Sequence, residues 1–444
     1  MGNLQTPDKI RNLQRGLYVK AKNEPEYRFY ALYDKVWRDD ILLHAYALAR
    51  ANEGAPGVDG VTFEQIKKGE GVAALLAKLK EELKAGTYRP QPVRRVNIPK
   101  PDGGERPLGI PTIRDRVAQA AAKIVLEPIF EADFTSNAYA YRPEKNARQA
   151  IEHVHGLLED GYTDVVDADL SKYFDTIPHA ELMRSVARRV SDRKILALLK
   201  LWLRAPVEER TEAGKRKLTG SGGRGVGTPQ GGVISPLLSN VYMRRFLLAW
   251  EQWGLPEKLR AHVVNYADDF VILCRGTAWE ARAVAEGIIQ RLKLTVNAEK
   301  TRVVNAWREP FDFLGYTFGR CFKVGSSRVY LGAKPAKKRL QRIYRAIHDL
   351  LSRENHLSEK DVVYRVNSRL EGWAFYYSYG TISRAYKKLD RLVAARFRAW
   401  LCDRHKVSGR GTRRFPDAAL YGTYGLVRLT AKLTAQRSKA RREF

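Results

Sequence analysis

Only three cysteines occur in 444 residues, Cys274, Cys321 and Cys402, and no pair has CxxC spacing. That argues against a disulfide framework or a zinc knuckle and suits a reduced compartment. No apolar run reaches the ~18 residues that cross a bilayer, so no membrane partner is expected. The opening MGNLQTPDKIRNLQRG lacks the apolar stretch of a secretory leader. No Walker A sequence is present, and the eight histidines form no HxxxH or HNH-like cluster. Negative charge is in short supply too: 49 Asp and Glu face 79 Lys and Arg, a net of +30. An excess of that size points to a polyanionic partner. Hydrophobic residues at 44% and aromatics at 10% exclude a wholly disordered chain and a collagen.

The excess is unevenly placed. Residues Leu331 to Phe444 hold 27 basic and 9 acidic residues, a net of +18, against +12 for the 330 residues before them. Aromatics are interleaved there, among them Trp373, Phe375, Tyr376, Tyr377, Tyr379 and Tyr386. Basic groups hold phosphates and aromatic faces stack on unpaired bases, although helical cores also use such rings.

Periodicity predicts helices over Pro25–Arg50, from near Phe63, and over Asp115–Phe130 with an end near Pro128. Further helices are predicted over Asn146–Glu159, Ala180–Leu203, Pro236–Trp250 and Thr277–Leu292. Extended segments are expected at Tyr88–Ile98, Thr163–Leu170 and Phe311–Phe318, with two β-rich runs meeting at Ala267-Asp268-Asp269. Glu212–Gly227 reads as a loop or hairpin. Beyond Lys334 only helices are expected, near Leu340–Leu351, Glu359–Tyr379 and Ser383–Leu401. Strands mixed with helices, then helices alone, predict an α+β body with an appended α-helical domain.

Two acidic stations stand out. One is Asp167-Ala168-Asp169-Leu170-Ser171-Lys172-Tyr173-Phe174-Asp175; the other is Asn265-Tyr266-Ala267-Asp268-Asp269-Phe270. Each ends an apolar, β-rich run, where a carboxylate is costly without a compensating cation. A lone Asp-Asp pair most often caps a turn, but a second acidic station weakens that explanation. Strand neighbours face opposite ways, so Asp268 and Asp269 can share one ion only at a turn. Asp169 from a neighbouring strand would add a third oxygen ligand of the kind Mg²⁺ prefers. An EF-hand is excluded, because Lys172 stands where its glycine belongs. Gly220–Gly225 fits GxGxxG but follows no strand and opens no helix, so it is no dinucleotide fingerprint.

Tyr266-Ala267-Asp268-Asp269 resembles the YxDD signature of reverse transcriptases. GTPQGGVISPLLSNVYM, DADLSKYFDTIPH, IPKPDGGERPLGIPTIRDRVAQ and FDFLGYTF are similar to four further motifs of those enzymes, in the same order. NEGAPGVDG, NAYAYRPEKNARQAI and the maturase-like GWAFYYSYG resemble bacterial group II intron reverse transcriptases in particular. The resemblance runs from about Pro25 to Trp400. It implies a right-hand polymerase: a 1–40 extension, fingers and palm over 41–330 and a thumb/maturase (X) domain over 331–403; a basic segment over 404–444 follows, whose charge and position make it a candidate for DNA binding.

It also implies roles. Asp169, Asp268 and Asp269 hold two Mg²⁺ ions, with the Leu170 carbonyl as a further ligand. Lys100 and Arg106 grip the incoming triphosphate, and Gln230 and Gly231 line the nucleotide pocket. Phe174 is the steric gate against a 2′-hydroxyl, which makes dNTPs the substrate. Lys300 lies near the leaving pyrophosphate, and Arg142 contacts RNA. The implied partners are a group II intron RNA, an RNA template with its DNA primer, and target DNA, in a bacterial cytoplasm or at the nucleoid. Longer family members carry an HNH endonuclease. Its signature is missing here, so second-strand cleavage is not expected. An RNA-binding splicing cofactor with an idle polymerase, a host-adopted relative and an RNA-dependent RNA polymerase stay open as alternatives.

Overall fold

The computed structural model describes residues 4–99, 104–210, 216–219, 225–228, 230–323, 327–352 and 356–433. Helices and strands mix as far as Pro335, and helices follow, which is the expected α+β class. The strands are β1 (Val93–Pro99), β2 (Glu105–Ile110), β3 (Asp164–Asp169), β4 (Val207–Arg210), β5 (Arg216–Thr219) and β6 (Ala261–Tyr266). After them come β7 (Asp269–Cys274), β8 (Arg302–Asn305), β9 (Phe311–Phe313), β10 (Tyr316–Phe322) and β11 (Val329–Pro335). They form three sheets, ordered β2-β1-β4-β5, β6-β7-β3-β8 and β11-β10-β9. The chain divides into two compact units. One comprises Met1–Asn146, Ala168–Phe270 and Trp279–Thr301; the other comprises Ala147–Asp167, Val271–Ala278 and Arg302–Phe444.

In the first unit the helix Ile113–Glu131 is apolar on nearly every side and lies buried, as such a pattern requires. The helices Asp8–Asn23 and Asp39–Ala51 pack on it. Thr112 caps its start by accepting the Asp115 amide. Gly57 lies against this cap: a Cβ there would come within 2.7 Å of Thr112 Cα. Arg116 ties down the same NEGAPGVDG segment by donating to the Glu53 and Ala55 carbonyls.

The predicted end at Pro128 is wrong, because the helix continues to Glu131. Proline lacks the N–H that would bond the carbonyl four residues earlier. The Gln14 side-chain amide supplies that bond instead, 3.1 Å from the Ile124 oxygen.

The predicted helix Pro25–Arg50 starts only at Tyr33 and breaks again at Trp37–Arg38, and the predicted helix Ala180–Leu203 is interrupted; Asp192 explains the late start of the first and the break in the second. Its carboxylate accepts the amides of Leu32 and Tyr33, so the chain before Tyr33 runs as a bridge between Phe29 and Val190. The same carboxylate caps Arg193–Leu203, separating it from His179–Ala187.

In the second unit the predicted strand Phe311–Phe318 is two strands, divided where Leu314 and Gly315 take positive φ of 49° and 81°. The antiparallel pair β10–β11 follows, with Tyr316 opposite Pro335 and Phe322 opposite Val329. The helices predicted beyond Lys334 form as Lys337–Leu350, Glu359–Tyr376 and Ser383–Arg404. Trp373, Tyr377 and Tyr386 are buried together beside Tyr316, whereas Phe375 is 87% exposed.

The segment after Asp403, expected as a separate basic tail, is folded onto these helices as far as Lys432. Phe415, Leu420, Leu426 and Leu429 are buried. Asp390 accepts the amides of Leu429 and Thr430, and Asn367 clamps Gly425 and Val427.

Candidate active site

Each candidate residue of this site lies in the first unit. β6 delivers the chain to a two-residue turn, Ala267–Asp268, and β7 leaves it at Asp269. Ala267 sits at φ 60°, a region alanine seldom occupies, and the Asn265 amide holds its carbonyl at 2.9 Å. That turn is the condition under which neighbouring aspartates can serve one site. Asp268 is half-buried and Asp269 exposed.

Asp169 ends β3. Its carbonyl accepts the Asn297 amide at 2.8 Å and its amide meets Thr301 Oγ1 at 3.4 Å. The Asn297 side-chain amide reaches its carboxylate at 3.3 Å. Leu170 is bridged antiparallel to Val296.

The carboxylates of Asp169 and Asp268 act on one another. Burial pushes the Asp268 carboxyl above the usual range and the Asp169 charge pushes it further, while Arg106 and Lys300 pull it back. Lys300 Nζ lies 3.5 Å from Asp169 Oδ2.

The donor set is all oxygen, sits in a part-buried corner and is compensated by cations, which suits a hard divalent ion. Among the described residues no three His, Cys, Asp or Glu side chains close around a single ion. Coordination by one or two carboxylates completed by substrate phosphates is the ordinary habit of Mg²⁺.

The remaining candidates converge through backbone bonds. Lys172 adopts φ 47° and starts the short helix Tyr173–Thr176, which carries Phe174. The Thr228 amide donates to the Phe174 carbonyl at 2.7 Å and the Gly227 amide to Ile177 at 2.8 Å. Gln230 Nε2 lies 3.4 Å from Asp175 Oδ2, and the Gln230 carbonyl accepts the Gly109 amide of β2. Gly231, at φ 105°, packs so tightly on β2 that a Cβ would stand 2.3 Å from the Gly109 oxygen. Phe174, Gln230, Gly231 and the strand bearing Arg106 are thus gathered together, while Lys100 falls outside the described residues.

Two findings depart from the sequence reading. Arg142 is no free cation. Its side chain is only 6% exposed, and its guanidinium is spent on the Glu131 carboxylate and the carbonyls of Thr135 and Ala138. The residue before it, Tyr141, lies within electrostatic reach of the acidic corner, which the sequence reading did not note. Its phenol is raised by burial and by the charges of Asp268 and Asp269, and lowered by Arg106. It is half-exposed at φ 56°. The signal was its place in the AYRP stretch, where the arginine drew the attention.

Comparison with known proteins identifies the family. Residues 98–318 match the family "Reverse transcriptase (RNA-dependent DNA polymerase)", and residues 340–415 match "Group II intron, maturase-specific domain". Protein YkfC of Escherichia coli is 35% identical over 344 residues, which is 69% of this chain and 87% of that protein. The group II intron-encoded protein LtrA of Lactococcus lactis is 29% identical over 357 residues, covering 65% of this chain and 56% of LtrA. A putative COX1/OXI3 intron 1 protein of Saccharomyces cerevisiae is 28% identical, and 38% of its length is covered. The chain thus spans little more than half of LtrA and less of the yeast relative. By sequence, by motif order and by its two matched domains, it belongs to the reverse transcriptases that carry a group II intron maturase-specific domain.

Proposed function

We propose that the chain is an RNA-directed DNA polymerase that binds a group II intron RNA, assists its splicing and copies RNA into DNA from a target-site primer. The observation that carries this reading is the coupling of Asp169 to the Asp268–Asp269 turn in one part-buried, cation-compensated corner. Asp169, Asp268 and Asp269, with the Leu170 carbonyl, would hold two Mg²⁺ ions. Bound there, the ions supply a lowered pKa for a primer 3′-hydroxyl and charge neutralisation for the leaving pyrophosphate.

The protein's own groups do the rest. Arg106, joined by Lys100, orients the triphosphate. Gln230 and Gly231 hold the pocket's shape through their seat on β2. Phe174 lies against the sugar and leaves no room for a 2′-hydroxyl, so dNTPs are chosen. Lys300 neutralises Asp169 in the free protein and offers its ammonium to the departing phosphates.

Fingers and palm fall within 41–330 and thumb/maturase helices within 331–403. The folded segment after Asp403 extends the maturase part toward target DNA. No described helix is long and apolar enough to cross a membrane, and we place the reaction in the cytoplasm.

Primer extension on an RNA template with dNTPs and Mg²⁺ tests the reading. The Asp268→Ala variant should lose about 10²- to 10³-fold in rate, the scale of removing one group from a preorganised site. Extension at the wild-type rate would overturn it.

A further inference from the structure

A cavity of about 420 Å³ in the first unit shares no residue with the acidic corner. One wall is a stripe of the helix Arg193–Leu203: Lys194, Ala197, Leu198 and Leu201 recur at the i, i+3, i+4, i+7 spacing of one helical face. The other wall holds Tyr33 and Tyr88, whose hydroxyls are already committed. The Tyr33 hydroxyl donates to the Leu83 carbonyl at 2.7 Å. The Tyr88 hydroxyl donates to Asp115 at 2.7 Å and accepts from Trp202 Nε1 at 3.1 Å. What these side chains leave to the cavity is carbon.

Four cations line it, Arg89, Lys194, Lys200 and Arg204, with no carboxylate among the lining residues. Among the described residues no ion pair joins Lys194, Lys200 or Arg204 to an acid. Lys194 Nζ stands 5.6 Å over the Tyr33 ring, and Arg89 is steadied by the Gly86 and Tyr88 carbonyls. Like charges gathered around a concave apolar space repel one another unless an anion joins them. The volume falls in the ~300–1,000 Å³ range of small-ligand pockets and is far larger than a bare phosphate needs.

We propose that this cavity binds one nucleoside-phosphate unit, with the phosphate among the four cations and the base and sugar against the apolar wall. The unit is either a free nucleotide or one residue of an RNA strand. The inference goes beyond the polymerase reading and does not rest on it.

Photo-crosslinking of the full chain distinguishes the two sources. One probe is 8-azidoadenosine monophosphate and the other is a single-stranded RNA carrying 4-thiouridine, with adducts mapped by peptide mass spectrometry. Adducts are expected on the peptides around Tyr33, Tyr88 or the Arg193–Leu203 helix. Ala197→Trp fills the cavity from an exposed position and keeps its charges. The double variant K200E/R204E keeps the cavity and reverses two charges. Each should cut adducts at these peptides about tenfold, the worth of one lost charge-assisted contact, and leave adducts elsewhere unchanged.

Loss with both probes identifies a site open to free nucleotide; loss with RNA alone identifies a strand-borne one. The proposal is overturned if neither probe marks these peptides or if Ala197→Trp leaves the adducts undiminished. Competition by inorganic pyrophosphate as effective as that by AMP would also overturn it. Primer extension by the wild-type preparation is a separate test, and its failure would count against the polymerase reading alone.

Discussion

The carboxyl of Asp268 lies deeper than that of Asp269 and faces the Asp169 charge, so both burial and repulsion favour its protonated form. The sign follows. A carboxyl whose folded pKa is raised stabilises the fold when protonated. That stabilisation is complete below the ordinary carboxylate range and is lost as pH climbs through the raised value. Asp268→Asn should therefore melt above wild type at neutral pH while losing primer extension, and the difference should shrink on acidification. Thermal unfolding across pH checks this, and a variant that melts lower at neutral pH would contradict it.

Phe174 carries a second residue-scale prediction. Phe174→Ala opens the sugar side of the pocket, so rNTP incorporation relative to dNTP should rise about 10- to 100-fold, the span of ~1–3 kcal/mol of steric discrimination. Single-nucleotide extension measures it, and an unchanged ratio would remove the gate from Phe174.

The aspartates were legible because a carboxylate at the end of an apolar strand has few explanations. The pairing of Arg142 was not legible, because an arginine's charge is visible in sequence, whereas the Glu131 that neutralises it stands eleven residues earlier, a spacing no local rule singles out.

Element type was more legible than element ends. The strand–turn–strand at Ala267–Asp268 and the helices beyond Lys334 follow from local pattern, and most of their bounds shift by only a residue or a few. The breaks at Leu32–Tyr33 and Val190–Asp192 follow from one carboxylate bonding segments some 160 residues apart, which no window along the chain can see. β11 was missed because its seven residues alternate weakly and gain their meaning only from pairing with β10.

Pro128 teaches the same lesson in reverse. A local helix breaker is tolerated because Gln14, 110 residues away, supplies the missing donor. Gln14→Ala should leave the part-buried Ile124 carbonyl short of a partner and cost about 1–3 kcal/mol. Denaturant unfolding reads this out. A cost near zero would mean that water replaces the amide freely.

At the scale of the whole molecule the question is where +30 of charge is used. Much of the excess carried by the helical part turns out to lie on folded elements. Removing the chain from Ser408 onward would therefore strip buried Phe415, Leu420 and Leu429 from the second unit. Its effect on DNA binding could not be separated from damage to the fold, and charge reversal on an exposed face is the cleaner probe.

The helix Lys337–Leu350 offers such a face. Ile347 is its buried residue, while Lys337, Lys338, Arg342 and Arg345 are exposed. If these four neutralise phosphates of an unpaired RNA segment, each releases counterions in proportion to ~0.7 per contact. Replacing all four by glutamate should then flatten the log–log dependence of RNA affinity on salt by about 3 and weaken binding most at low salt. Filter binding of group II intron RNA over a salt series measures the slope. A parallel downward shift with the slope intact would mean that the four side chains shape the fold or its field without touching phosphate. An unchanged line would move the RNA-gripping surface elsewhere on the second unit.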